Sequence, residues 1–213
     1  MKKSVVIIGK GPSVLESTKQ YVDSFDSVAI CNFPPMENYQ HLISNRANYH
    51  FLNVGNPLPY TKKFINQLGL KALFNTQAHW EVGNNIIKTP PQEITPAHRF
   101  DYYSNYGVET RKKYEDEYDI WPSTGLMALD YFINNDEYDK ISLIGFDFYA
   151  AGKDVYYFSK QETNPSLHYL WNNKTYSTDG KVIEHVHMPE AEVVNKLIEK
   201  SSKNITVNIF KEV

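Results

Sequence analysis

Ser4-Val5-Val6-Ile7-Ile8-Gly9-Lys10-Gly11-Pro12-Ser13 decides how this chain folds. Residues 4–9 form a short, β-branched, uninterrupted apolar run. Such a run suits a strand buried on both faces, the central position in a parallel sheet, whereas a half-exposed strand alternates. Gly9, Lys10 and Gly11 break the run, and Pro12 and Ser13 follow. Ser13-x-x-Glu16 has capping-box spacing and predicts a helix from Ser13 to about Val22. Strand, glycine turn and helix start together place free backbone amides where an anion can bind. A tight turn that holds no ligand has the same pattern. The dinucleotide fingerprint is incomplete, because Val14 stands where its third glycine would be.

The same grammar repeats downstream. Ser27 to Cys31 (SVAIC) reads as a second strand, with Asn32 at its exit and Phe33-Pro34-Pro35 ending it. A classical NAD site places an acid at this point for the ribose hydroxyls, so Asn32 argues against NAD. Tyr49 to Leu52 is a third strand that leaves Asn53 at its exit, and Lys71 to Phe74 a fourth. Asparagine both donates and accepts, which suits a phosphate or a sugar, although it also forms turns. From Thr76 to about Asp119 the periodicity is weak, and this stretch is expected to be an irregular lid. Its acidic run, Glu115-Asp116-Glu117, reads as a solvated face.

In the second half, Pro122-Ser123-Thr124-Gly125 sets two hydroxyls and a glycine amide at the start of a helix expected over Ser123–Asn134. Ile141 to Ile144 is the next buried strand, and Gly145-Phe146-Asp147-Phe148-Tyr149 is its polar exit. In an open α/β sheet, strand exits and helix starts share the carboxyl edge, where ligands bind. The loop beyond carries Tyr156, and His168-Tyr169 follows. His185 and His187 precede Pro189, which fits the first turn of a helix with Val193, Val194, Leu197 and Ile198 on its apolar face. Ile205 to Ile209 is a last strand. His187 suits a general base, because imidazole titrates near neutrality. A helix starting at Pro189 would favour its neutral form. His185 would point the other way in an extended segment, so only one of the two enters a site. A zinc site on His168, His185 and His187 has no cysteine ligand near it.

With 213 residues, the chain fits one domain spanning 1–213. A net charge of -3, with Lys and Arg scattered, gives no broad reason to bind nucleic acid. Cys31 is the sole cysteine, so no intrachain disulfide forms. The apolar run Val5–Ile8 is too short for a signal peptide or a membrane span. A soluble, cytoplasmic protein is expected, with peripheral attachment to a membrane left open.

These patches resemble the sialyltransferases of family 29 and the bacterial sialyltransferases of family 42. Val5 to Ser13 with Phe25 to Asn32 looks like their long donor-binding motif, with Lys10 where both families carry Asn. Pro122-Ser123-Thr124-Gly125 looks like the short motif, with Trp121 where family 42 places an arginine. His168-Tyr169 is similar to the aromatic-histidine motif, and His187-x-x-x-x-Glu192 has the spacing of the last one. Gly145 to Tyr149, with Tyr156, looks most like family 42. The resemblance implies a single Rossmann-like α/β domain, a GT-A variant, with a mostly parallel sheet; residues 76–119 match none of its patches and are expected to be a lid on the acceptor side. It further implies an inverting transfer of sialic acid, or a related nonulosonic acid, from its CMP-activated form to a sugar hydroxyl. The acceptor would be a galactose-terminated glycan. No Asp-x-Asp pair, the metal-diphosphate clamp of many glycosyltransferases, occurs in the chain. Metal-independent chemistry without a cofactor is therefore expected.

In this reading His187 is the base. Tyr149, Tyr156 and His168 assist the leaving phosphate. Gly9, Lys10, Gly11, Pro12, Ser13, Asn32, Asn53, Ser123, Thr124, Gly125 and Phe146 bind the donor, and Asp147 takes the ribose hydroxyls. Two rivals from other classes remain open. One is a nucleotide-binding pyrophosphokinase-like enzyme, which needs a metal-binding acid pair. The other is a non-catalytic module that binds nucleotide or glycan and tolerates loss of His187.

Overall fold

The computed structural model describes residues 2–32, 37–52, 69–75, 99–101, 106–120, 122–148 and 187–207. Its centre is β1 (Lys3–Ile8), which is buried from Val5 onward. Parallel neighbours flank it on both sides: β2 (Ser27–Cys31), buried throughout, and β6 (Tyr138–Ile144). The sheet continues outward through β3 (Tyr49–Leu52), β4 (Ala72–Asn75) and β5 (Arg99–Asp101), and on the other side to β7 (Asn204–Val207). All seven strands are parallel, in the order β5-β4-β3-β2-β1-β6-β7. Every pair of neighbours being parallel explains why the central strands read as unbroken apolar runs. The order reverses at β1, so a crevice belongs outside the carboxyl ends of β1 and β6.

Five helices are described: α1 (Lys19–Asp23), α2 (Gln40–Ile43), α3 (Tyr106–Tyr118), α4 (Thr124–Ile133) and α5 (His187–Lys200). The α4 helix packs across β1, β2, β3 and β6. It is the most apolar of them, and Leu126, Met127, Ala128, Leu129 and Phe132 are all fully buried. Asp130, on the same helix, is buried with partners supplied by α3. It accepts from Tyr114 Oη at 2.9 Å and from Lys113 Nζ at 3.0 Å, so a charge in the core is not left alone. Among the described residues, no helix is long and apolar enough to cross a membrane.

Two expectations change. The stretch from 76 to 119, read as irregular, contains β5 and the 13-residue α3. A three-residue strand bounded by Arg99 and Asp101 has no alternation to detect. The α3 sequence (YGVETRKKYEDEY) is polar on nearly every face and is held through Tyr114, which lies in the core. The single helix expected from Ser13 to Val22 is also absent. A 3-10 turn covers Pro12–Glu16, and α1 starts afresh with Thr18 Oγ1 accepting from Tyr21 N at 3.1 Å. Ser13 caps no helix, because its hydroxyl is committed across the sheet edge.

Candidate functional site at the carboxyl edge

The exits of β1 and β6 are tied together. Gly11 N donates to Gly145 O at 3.0 Å, and Gly145 N donates to Ser13 Oγ at 3.0 Å. Ser13 N donates to Asp147 Oδ2 at 2.9 Å. The anion received by this glycine turn is therefore the protein's own carboxylate. Approach is close throughout: a Cβ on Gly11 would lie 2.0 Å from Asp147 Oδ2, and one on Gly9 would lie 2.3 Å from Gly145 O. Gly145 itself has φ +72°, the left-handed region that glycine adopts without strain. Ser13 and Asp147 are 2% and 4% exposed. Both were read as donor ligands. The structure places Ser13 in the latch and commits one oxygen of Asp147 to it, because a buried amide needs an acceptor. Pro12 is buried in the same turn, while Lys10 and Gly11 are half-buried.

The ring of Phe146 links the two exits to α4. Built side-chain carbons on Gly9 and Gly125 would meet it at 3.3 Å and 2.7 Å. Phe146, read as a donor ligand, packs in the core and lies between the start of α4 and the β1 exit. Ser123 is the N-cap, its Oγ accepting from Leu126 N at 3.1 Å. Thr124 is buried, and its Oγ1 has no hydrogen-bond partner among the described residues. A buried hydroxyl without a partner is uncommon in a folded protein and marks a place where a ligand can supply one.

Ser123 is also bound by a residue that the sequence reading passed over. Glu190, on α5, accepts from Ser123 N at 3.1 Å through Oε2 and from Ser123 Oγ at 2.5 Å through Oε1. Burial raises its pKa to about 7, and the two Ser123 bonds act against that rise. The paired glutamate of the expected motif, Glu192, is exposed. The phase of α5 carried the signal: Glu190 stands three and four residues ahead of Val193 and Val194, both buried, and shares their face. Counted back by the same spacing, Glu190 leads to His185, as Glu192 leads to His187. The α5 helix begins at His187, two residues before the expected start at Pro189.

Asn32 closes the other side. It follows β2 with φ +57° and is half-buried. Beneath it, burial pushes the Cys31 thiol up to about 12, with the Lys10 ammonium opposing and the Glu190 carboxylate adding to the effect. Lys10 and Glu190 therefore lie within electrostatic reach of one point at the β2 exit. Gly9, Lys10, Gly11, Asn32, Ser123, Thr124 and Gly125 are brought to one edge. Asn53, Tyr149, Tyr156, His168 and the His187 side chain lie outside the described residues.

No family profile and no curated protein matches the sequence. Solved structures do match the fold. CstII from Campylobacter jejuni, a sialyltransferase in complex with the substrate analogue CMP-3FNeuAc, aligns with a TM-score of 0.65 at 20% identity, over 96% of this chain and 81% of that one. A mammalian sialyltransferase aligns at 0.56 and 18% identity, over 100% and 70%. An alpha-2,3-sialyltransferase from Campylobacter jejuni in apo form aligns at 0.53 and 14%, over 97% and 75%. A seven-stranded parallel sheet with its order reversal at β1, matched over nearly its whole length, gives this chain the fold of the sialyltransferases.

Proposed function

We propose that the protein transfers sialic acid, or a related nonulosonic acid, from its CMP-activated form to a sugar hydroxyl. The observation that carries this reading is the start of α4, where Thr124 Oγ1 is buried without a partner among the described residues, beside Gly125, at the carboxyl edge of a sialyltransferase fold. Thr124 and the first amides of α4 suit the donor's phosphate or sugar carboxylate. Lys10 and Asn32 face the same anion from the exits of β1 and β2. Solved relatives of the fold support both partners: CstII is described in complex with CMP and a trisaccharide acceptor, and the mammalian enzyme with Gal-beta-1-3GalNAc-ortho-nitrophenol. The acceptor in this proposal is a galactose-terminated glycan, which that likeness supports.

Transfer with inversion needs a base for the attacking hydroxyl and charge-stabilising donors for the departing phosphate. Tyr149, Tyr156 and His168 fill the second role in this proposal, and no metal is required. The base comes from the first residue of α5 or the segment just ahead of it. His187 suits it as a histidine at a helix start. One observation favours His185 instead: the buried glutamate is Glu190, and His185 stands in the motif spacing to it. The test is transfer from CMP-sialic acid to a galactose-terminated oligosaccharide in excess chelator, read by mass spectrometry. Transfer by the unaltered protein, lost in one of His185→Ala and His187→Ala with CMP affinity kept, supports the reading and names the base. Transfer that needs added divalent metal refutes metal independence, and activity kept in both variants refutes a histidine base.

A further inference from the structure

We propose that His50 is the positioning residue for Asn32, fixing from the neighbouring strand the turn that presents this asparagine to the donor. His50 lies in β3, in register with Ile30 of β2, and is 2% exposed. Its Nε2 meets the carbonyl oxygen of Asn32. A carbonyl only accepts, so Nε2 carries the proton and the ring is the neutral Nε2–H tautomer. Burial opposes the charged imidazolium and pushes the pKa down to about 3. The ring is therefore neutral near neutral pH.

The geometry of Asn32 explains why a side chain is needed. Its N–H still follows the sheet and donates to Phe51 O at 2.7 Å. Its φ of +57° then turns the chain out of the parallel ladder. Such a turn is uncommon for a residue other than glycine, and asparagine is among the few that tolerate it. The next backbone acceptor along the chain is the Asn32 carbonyl, and it lies against the His50 ring. The imidazole of β3 supplies its donor. Both backbone groups of Asn32 are thus held by β3, one by the Phe51 carbonyl and one by the His50 ring. These two bonds fix the Asn32 backbone, and with it the direction in which its Cβ leaves the sheet edge. Burying a histidine inside a sheet is costly unless its polar atoms are used, and this contact is a use for one of them.

The inference rests on the donor reading above, and its test separates the two. CMP binding is measured by calorimetry for the unaltered protein, His50→Leu, His50→Asn and His50→Gln, with thermal unfolding recorded beside it. Glutamine reaches about as far as Nε2 and donates; asparagine carries the same amide one methylene shorter. The Kd for CMP is expected to rise about tenfold in the Leu and Asn variants and to return to within about threefold in the Gln variant. In an Asn32→Ala background, His50→Leu is expected to add less than about twofold, since the side chain being positioned is gone. Should His50→Leu fail to fold, the Asn and Gln pair decides alone. Unchanged CMP affinity with a lowered melting temperature in His50→Asn would make His50 structural only and overturn the proposal. An unaltered protein that does not bind CMP is a separate result, which removes the donor reading and this proposal with it.

Discussion

Glu190→Gln is expected to stabilise this protein by an amount that grows as pH rises from about 4.5 to about 7 and is constant above that. The carboxyl sits almost wholly inside the protein, with both oxygens on Ser123 at the start of α4. Burial raises its pKa from an ordinary 4.5 to about 7. Between those values the folded state holds a proton that the unfolded state has released, so stability falls as pH rises through this window. The gap of about 2.5, at about 1.36 kcal/mol per decade, is worth roughly 3 kcal/mol once pH 8 is reached. Glutamine keeps an acceptor for Ser123 N–H and, like the protonated acid, presents a donor to Ser123 Oγ, whose hydroxyl then turns to accept it; glutamine cannot ionise. The variant should match the unaltered protein near pH 4.5 and exceed it by roughly 3 kcal/mol at pH 8. For a chain of this length that is about 6–12 °C in melting temperature. Unfolding followed by circular dichroism at pH 5, 6, 7 and 8 measures it. A difference that does not change with pH would refute the reasoning, because the effect would then owe nothing to ionisation of Glu190.

Other perturbations probe the rest of the edge. Gly11→Ala drives a methyl to 2.0 Å from Asp147 Oδ2 and 2.9 Å from Gly145 O, and should cost about 3 kcal/mol or more, read by urea unfolding. A Gly11→Ala protein of normal stability would mean that the two exits are not latched. Tyr149→Phe and Tyr156→Phe should lower kcat by about ten- to a hundredfold with little change in CMP affinity, if their hydroxyls act on the leaving phosphate. Equal turnover in both variants would remove them from that role.

How much the sequence revealed depended on whether a pattern was local. Val5 to Ile8 and Ser27 to Cys31 are continuous apolar runs because parallel neighbours and packed helices cover them on every side, and they were legible as central strands. Ser123 was legible as a helix start because capping is decided within three residues. Ser13 carried the same local signal, and it misled. Gly145 and Asp147, more than 130 residues away, claim its hydroxyl and amide, and no local pattern reports a competitor at that distance. Residues 99–101 and 106–118 were illegible for a different reason: their regular structure is imposed by docking onto β4 and α4 rather than by their own periodicity. Glu190 was within reach, since it shares the phase of Val193 and Val194. The fixed spacing after His187 points to Glu192 instead. His50 gave no signal, because a histidine in a four-residue strand does not announce what its ring faces.

The central claim is that the edge formed by Gly9–Gly11, Asn32 and Ser123–Gly125 is a CMP site. The most direct measurement is isothermal titration of the intact protein in excess chelator with CMP, and in parallel with ADP and NAD. Saturable, one-to-one binding of CMP, weakened by Thr124→Val and Asn32→Ala and stronger than that of ADP or NAD, is the predicted result. Preference for ADP or NAD, or CMP binding that those two substitutions leave unchanged, would contradict it.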